Sequence, residues 1–178
     1  GAELIPLNTI EDNNLPDVDG LFIGGGFPEV IGARLSSNAG LLNDIRSKLD
    51  CGLPVYAECG GLMYLCRSIV SNGNSYDMVG FFSADAHMHD SPIGRGYVQL
   101  RETGRSPWPG IKAGEKINCH EFHYASLENL SGTVQYAYDV ARGYGVDGKR
   151  DGLILKNVVA TFSHQRSIAK NSWAERFV

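Results

Sequence analysis

Hydrophobic positions along this chain fall into two regimes. Over roughly the first seventy residues, short apolar runs alternate with segments of helical period. Leu4–Pro6 predicts a brief extended run, a polar stretch follows over 8–19, and Gly20-Leu21-Phe22-Ile23 predicts a buried strand that runs into Gly24-Gly25-Gly26. Leu41, Leu42, Ile45 and Leu49 then recur on one helical face, with Ser37 as the expected N-cap and Gly52 as the stop. Pro54–Ala57 predicts a second strand, and a second helix is expected from about Gly60 to Val70. Strand, helix, strand, helix is the opening of a parallel sheet with covered faces.

The second half changes character. Short extended runs recur with turn residues between them, at Met78–Phe82, Tyr97–Leu100, Lys116–His123, Thr133–Tyr138 and Leu153–Leu155, and these predict antiparallel strands or hairpins. Val158-Val159-Ala160-Thr161-Phe162 is a β-branched strand with Ser163-His164 directly after it. A histidine leaving the C-terminal end of a strand lies where open α/β sheets place their chemistry.

Composition narrows the class. With 178 residues, 43% of them hydrophobic, one substantial core can form and nothing demands two domains. No run approaches the ~20 apolar residues that span a bilayer, and no basic-then-apolar leader opens the chain, so no membrane or export role is expected. A net charge of −4 and a pI near 5.7 give no electrostatic footprint for nucleic acid. Cys51, Cys59, Cys66 and Cys119 form no CxxC pair or short-spaced framework, which fits a reducing compartment, the cytoplasm. A start at Gly1 rather than methionine suggests a domain of something longer.

The most informative string is Pro54-Val55-Tyr56-Ala57-Glu58-Cys59-Gly60-Gly61-Leu62-Met63. An apolar run stops at a thiol, and small residues follow before a helical pattern begins. A nucleophile presented on a sharp strand-to-helix turn needs small neighbours two positions away so that strand and helix can close up, and Ala57 and Gly61 meet that need. The turn also sets the sulfur at a helix N-terminus, whose unpaired N–H groups favour negative charge. The plainer alternative, a buried structural cysteine, does not account for the flanking small residues.

Thiol catalysis needs a base beside the sulfur and donors where the oxyanion forms. Among His87, His89, His120, His123 and His164, the last is preferred as base because it ends a late buried strand. The N–H of Gly60 and one from Gly25 or Gly26 are the natural oxyanion donors. No metal is expected. In a strand, His120 and His123 face opposite sides, and no cysteine or carboxylate spacing completes a tetrahedral set. Alternation leaves open which side of this strand, His120 with Phe122 or Glu121 with His123, points at a pocket. Gly143-Tyr144-Gly145-Val146-Asp147-Gly148-Lys149-Arg150 matches phosphate-loop spacing up to its last position, where a serine or threonine is needed. Asp151-Gly152 and a strand follow instead of a helix, so the segment is expected to be a hairpin turn.

Gly24-Gly25-Gly26-Phe27-Pro28-Glu29, Ala57-Glu58-Cys59-Gly60-Gly61-Leu62-Met63-Tyr64-Leu65, Gly96-Tyr97, His120-Glu121-Phe122-His123-Tyr124 and the strand ending in His164 together resemble the glutamine amidotransferase domain of the cobyrinic acid a,c-diamide synthase family, over essentially the whole chain. The resemblance implies a three-layer, flavodoxin-like class I amidotransferase fold, with a central mostly parallel sheet, helices on both faces and an antiparallel β extension. It implies that Cys59 attacks the glutamine side-chain amide with His164 as activator, with Glu58, Glu121, His123 and Tyr124 as candidate substrate contacts. No cofactor is implied for residues 1–178. ATP and magnesium belong to a synthetase domain expected upstream, which would use the ammonia to amidate the a and c carboxylates of cobyrinic or hydrogenobyrinic acid in cobalamin biosynthesis. Glutamine and that synthetase domain are the implied partners, with a homodimer possible.

Two departures stand out. Many class I amidotransferases carry a glutamate two residues after the histidine, where this chain has Arg166, so the implied arrangement is a dyad with His164 oriented by another group. The family also tends to a His-x-His pattern there, which leaves open an acceptor such as sirohaem or a nickel tetrapyrrole. A silent scaffold with the same fold, or a peptidase-like protein with the same elbow, are the competing classes. Intact Cys59 and His164 argue against the first, and the His120–Tyr124 block against the second.

Overall fold

A computed structural model describes residues 1–110, 112–167 and 171–178. Two sheets share one apolar interior. The larger has seven strands: β1 (Leu21–Ile23), β2 (Val55–Glu58), β6 (Gly94–Glu102), β7 (Lys116–His123), β9 (Gln135–Arg142), β10 (Arg150–Leu155) and β11 (Val158–Thr161), in the order β1-β2-β11-β10-β9-β6-β7. The smaller holds β3 (Cys66–Ser71), β4 (Asn74–Asp77), β5 (Phe82–Met88) and β8 (Ala125–Glu128), in the order β4-β3-β5-β8. The helices are α1 (Gly32–Ser37), α2 (Ala39–Asp50), α3 (Gly60–Leu65) and α4 (Trp173–Phe177), with a 3-10 turn at Pro28–Ile31.

Within the large sheet β2 runs parallel to β1 on one side and to β11 on the other, while β10, β9, β6 and β7 continue outward as antiparallel neighbours. The fold is thus the expected α/β type with an antiparallel extension, and the extension supplies four of the seven strands. Central position explains composition. All four residues of β11 are buried, as are all four of β2, and only strands covered on both faces can be apolar without alternation.

One face packs α2, α3 and the small sheet around Leu41, Ile45, Leu49, Leu62, Leu65, Ile69, Phe82 and Phe162. The other is covered by an aromatic cluster, where Tyr56 stacks with Phe22 and meets Trp108 edge-on, and Trp173 and Phe177 of α4 close over it.

Several boundaries differ from the sequence expectation, each for a local reason. The second helix stops at Leu65 rather than Val70. Residues 66–71 are extended and pair with both β4 and β5, and Asn72-Gly73, both at positive φ, make the hairpin turn to β4. The α2 cap is Asn38, not Ser37. Its side chain accepts from the Leu41 N–H and donates to the carbonyls of Thr9 and Asp12, tying the N-terminal segment to the helix. Met78–Val79 is a connection rather than strand, with β5 beginning at Phe82 and Gly80 between them at φ +68°. Among the described residues Leu4–Pro6 pairs with no strand, and Leu4 lies almost wholly in solvent.

Candidate functional site

Strand β2 delivers its last residues to the junction with α3. Glu58 pairs with Thr161 of β11, the Cys59 N–H donates to the Thr161 carbonyl at 2.7 Å, and the chain then turns sharply into α3. Cys59 takes φ +50° and ψ −104°, a conformation costing a non-glycine residue on the order of 1–3 kcal/mol. The small neighbours are needed as expected. A Cβ on Gly61 would collide with the Ile23 carbonyl oxygen, and one on Gly60 would lie 2.6 Å from the Gly26 oxygen and 2.9 Å from the Gly26 nitrogen. The triple-glycine bend therefore rests directly on the first turn of α3.

Strand β11 delivers His164 to the same place. Asp151, fully buried on β10, accepts from the N–H groups of Phe162 and Ser163 at 3.0 Å each, and this fixes the chain as it leaves the strand. His164 and His120 exchange backbone hydrogen bonds as an isolated bridge, and their rings stack with centroids 4.9 Å apart at 12°. Interaction with Cys59, and next with Glu58, favours the protonated imidazole against the opposing effect of burial and pushes the His164 pKa up to about 10. The Glu58 carboxylate lies 3.5 Å from Nδ1, so Nε2 is the nitrogen left for the sulfur. The thiol also approaches the Phe122 carbonyl at 3.8 Å.

The strand β7 residues sort by alternation into two groups. His120 and Phe122 lie on the exposed side, His120 against the half-buried His164 imidazole, while Cys59 itself is buried; Arg95 places its guanidinium over the Phe122 ring. Glu121 and His123 lie on the other side, buried, and do not reach the sulfur. Glu121 accepts from the N–H groups of Tyr144 and Gly145 at 2.8 Å each, while His123 stacks on Phe162 and its Nδ1 pairs with the Ala125 carbonyl. Glu121, expected as a substrate contact, thus buttresses the β9–β10 hairpin, and His123, expected as another, packs between Phe162 and the start of β8. Glu58, also expected as a substrate contact, has both of its oxygens turned to protein groups. Tyr124 is half-buried, its ring edge-on to Phe122. His120 is the site residue that sequence reasoning misses. The signal for it is the strand's alternation, which defines two sides without saying which is wet.

The same Glu121 contacts decide the phosphate-loop question. Tyr144 and Gly145 give their N–H groups to a carboxylate, and the segment closes a hairpin onto β10, so these residues do not fit a nucleotide. Among the described residues no group of three or more histidine, cysteine or acidic side chains could hold a metal ion, and no helix is long and apolar enough to cross a membrane.

Residues 1–172 match the model of the CobB/CobQ-like glutamine amidotransferase domain. The chain is 41% identical over 174 residues to the cobyrinate a,c-diamide synthase of Magnetococcus marinus, covering 98% of this chain and 37% of that protein. It is 42% identical over 177 residues to the enzyme of that name from Archaeoglobus fulgidus, covering 99% of this chain and 38% of that one. The chain thus spans less than two fifths of the length of these curated relatives. Among solved structures, a glutamine amidotransferase superposes with a TM-score of 0.64 at 15% identity, over 90% of this chain and 77% of that one. PurLQS from Thermotoga maritima superposes with a TM-score of 0.60 at 15% identity, over 87% of this chain and 72% of that one. At those identities the likeness is one of fold. On the family match and the relatives together, the chain belongs to the CobB/CobQ-like glutamine amidotransferase domains.

Proposed function

We propose that this domain hydrolyses glutamine at Cys59 with His164 as its base, and that the protein carrying it uses the ammonia for ATP-dependent amidation of the a and c carboxylates of cobyrinic acid. One observation carries the first part. Two residues far apart in sequence are brought to neighbouring strand ends by the adjacent parallel strands β2 and β11, with the sulfur on a strained turn after β2 and the imidazole just past the end of β11.

In the reaction, His164 Nε2 holds the proton given up by the thiol, as its raised pKa of about 10 favours, and the sulfur attacks the side-chain carbonyl carbon of glutamine. The oxyanion is met by the Gly60 N–H and by an N–H of the Gly25–Gly26 bend, an arrangement worth about 10²–10³ in rate per donor. Collapse breaks the carbon–nitrogen bond, the imidazolium gives its proton to the departing nitrogen, and ammonia leaves a glutamyl thioester on Cys59. Water, deprotonated by the freed imidazole, then attacks the thioester. Glutamate is released and the thiol is restored.

The second part rests on the relatives, which bear the name cobyrinate a,c-diamide synthase and extend well beyond the region this chain matches. ATP and magnesium would bind in that further region, since the one phosphate-loop-like string here does not fit a nucleotide.

A glutamine-derived diazo-ketone tests the chemistry. It should modify Cys59 in the unaltered protein and nothing in Cys59→Ala; labelling at another residue, or none, would overturn the assignment. Formation of the a,c-diamide from cobyrinic acid, glutamine and ATP by the full-length protein tests the acceptor.

A further inference from the structure

The residue before the nucleophile is a buried carboxylate in a strand whose other members are apolar or aromatic. Glu58 is 7% exposed, and Val55, Tyr56 and Ala57 ahead of it are fully enclosed. An ion taken out of water in this way costs several kcal/mol unless its oxygens are engaged. Here they are. Oε1 accepts from the Tyr56 hydroxyl at 2.8 Å and from the Gln165 N–H at 2.8 Å, and Oε2 faces His164 Nδ1 at 3.5 Å. The Tyr56 ring is clamped between Phe22, Trp108 and Trp173, and burial together with the Glu58 charge pushes its phenol far up, so it remains a donor. Gln165 directly follows the histidine, so one carboxylate holds both the imidazole and the backbone that carries it.

We propose that Glu58 is the positioning residue for His164, holding Nδ1–H so that Nε2 is directed at the Cys59 sulfur and takes up its proton. This rests on the reading of Cys59 and His164 given above. A base in nucleophilic catalysis is ordinarily oriented by a third group, and the position two residues after the histidine, Arg166, cannot accept a hydrogen bond. The nucleophile's own strand supplies the acceptor instead. The charged and titratable groups around the imidazole are Glu58 and Cys59 from the β2 turn and His120 from β7, on which Arg166 acts in turn.

Glu58→Gln keeps the shape of the side chain and its acceptor for Tyr56 and Gln165, but turns an amide N–H toward Nδ1. The ring is then held with its proton on Nε2, where it cannot receive the thiol proton, the same tautomer fault that disables a serine protease whose aspartate is made asparagine. In the full-length protein, E58Q should lower kcat for glutamate release about 100-fold with KM within about twofold. It should also move the midpoint pH of iodoacetamide reaction at Cys59, read from that residue's own peptide, up by about one unit or more. If E58Q does not fold, Tyr56→Phe frees one end of the carboxylate and should cut kcat by roughly 3- to 10-fold with KM unchanged. An unmoved alkylation midpoint with unaltered kcat would overturn the proposal, and so would a raised KM at constant kcat, which would make Glu58 a substrate contact. Should the unaltered protein release no glutamate, the glutaminase reading fails, while the alkylation midpoints still report on Glu58.

Discussion

Gly25 lies flat against the His164 imidazole: a Cβ at residue 25 would stand 2.5 Å from Cε1 and 3.3 Å from Nδ1. The triple-glycine bend and the His164 imidazole are therefore one packed unit. His120 stacks on the ring and Glu58 faces Nδ1, so any shift of the ring takes it out of register with both.

Gly25→Ala should therefore displace the imidazole rather than unfold the domain. Glutamate release should fall by about 10²-fold or more, with the thermal midpoint within a few degrees of the unaltered protein. Steady-state kinetics alongside a melting curve checks this, and near-normal turnover would show that the bend and the ring can separate.

Strain at Cys59 gives a second outcome. Glycine accepts φ +50° and ψ −104° without penalty but loses more entropy on folding, about 0.5–1 kcal/mol against the 1–3 kcal/mol of strain relieved. Cys59→Gly should thus be more stable than Cys59→Ala by about 1 kcal/mol, both being inactive, as measured by denaturant unfolding.

Glu121 should behave as a structural group. Burial pushes its pKa up, but the bonds from His123 and from the Gly145 and Tyr144 N–H groups outweigh that and leave it lowered. A lowered acid contributes stability that is present above its unfolded pKa of about 4.3 and is lost as pH falls through the folded value. Glu121→Gln should cost about 1.5–3 kcal/mol at neutral pH and reduce the loss of stability on acidification. Its KM for glutamine should stay within about twofold, whereas a substrate contact would raise it well beyond that.

Glu102 should act in the opposite sense. It is 2% exposed, burial raises its pKa to about 7, and Arg176 at 3.9 Å offsets only part of that. A raised acid contributes stability that is complete below its unfolded pKa and drains away as pH climbs through the folded value, so the window runs from about 4.3 upward through about 7. Melting curves at pH 5 and 8 should show Glu102→Gln losing less on alkalinisation than the unaltered protein.

The sequence made the elbow legible because its demands are local: a strand, a thiol, and small residues at fixed offsets around Cys59. His164 was legible from the same kind of evidence, a β-branched strand with a histidine at its end. The role of β7 was not. Period-two alternation separates His120 and Phe122 from Glu121 and His123, yet which pair meets solvent depends on the β9–β10 hairpin packing over Glu121, a contact set by tertiary structure. Residues 66–71 misled for a related reason. Ile69 and Val70 suit a helix face or a strand equally, and the decision lay with the Asn72-Gly73 turn and the pairing to β5.

The Asn72-Gly73 turn also divides the chemistry between two pieces of polypeptide. Cys59 and Glu58 lie before it, while His164, His120 and Asp151 lie after it. A nick at that hairpin would leave one fragment with a sulfur and no partner to draw off its proton, and another with an imidazole and nothing to act on. Hydrolysis would return only when the halves zip together along β2 and β11, which makes turnover itself a reporter of their reassembly.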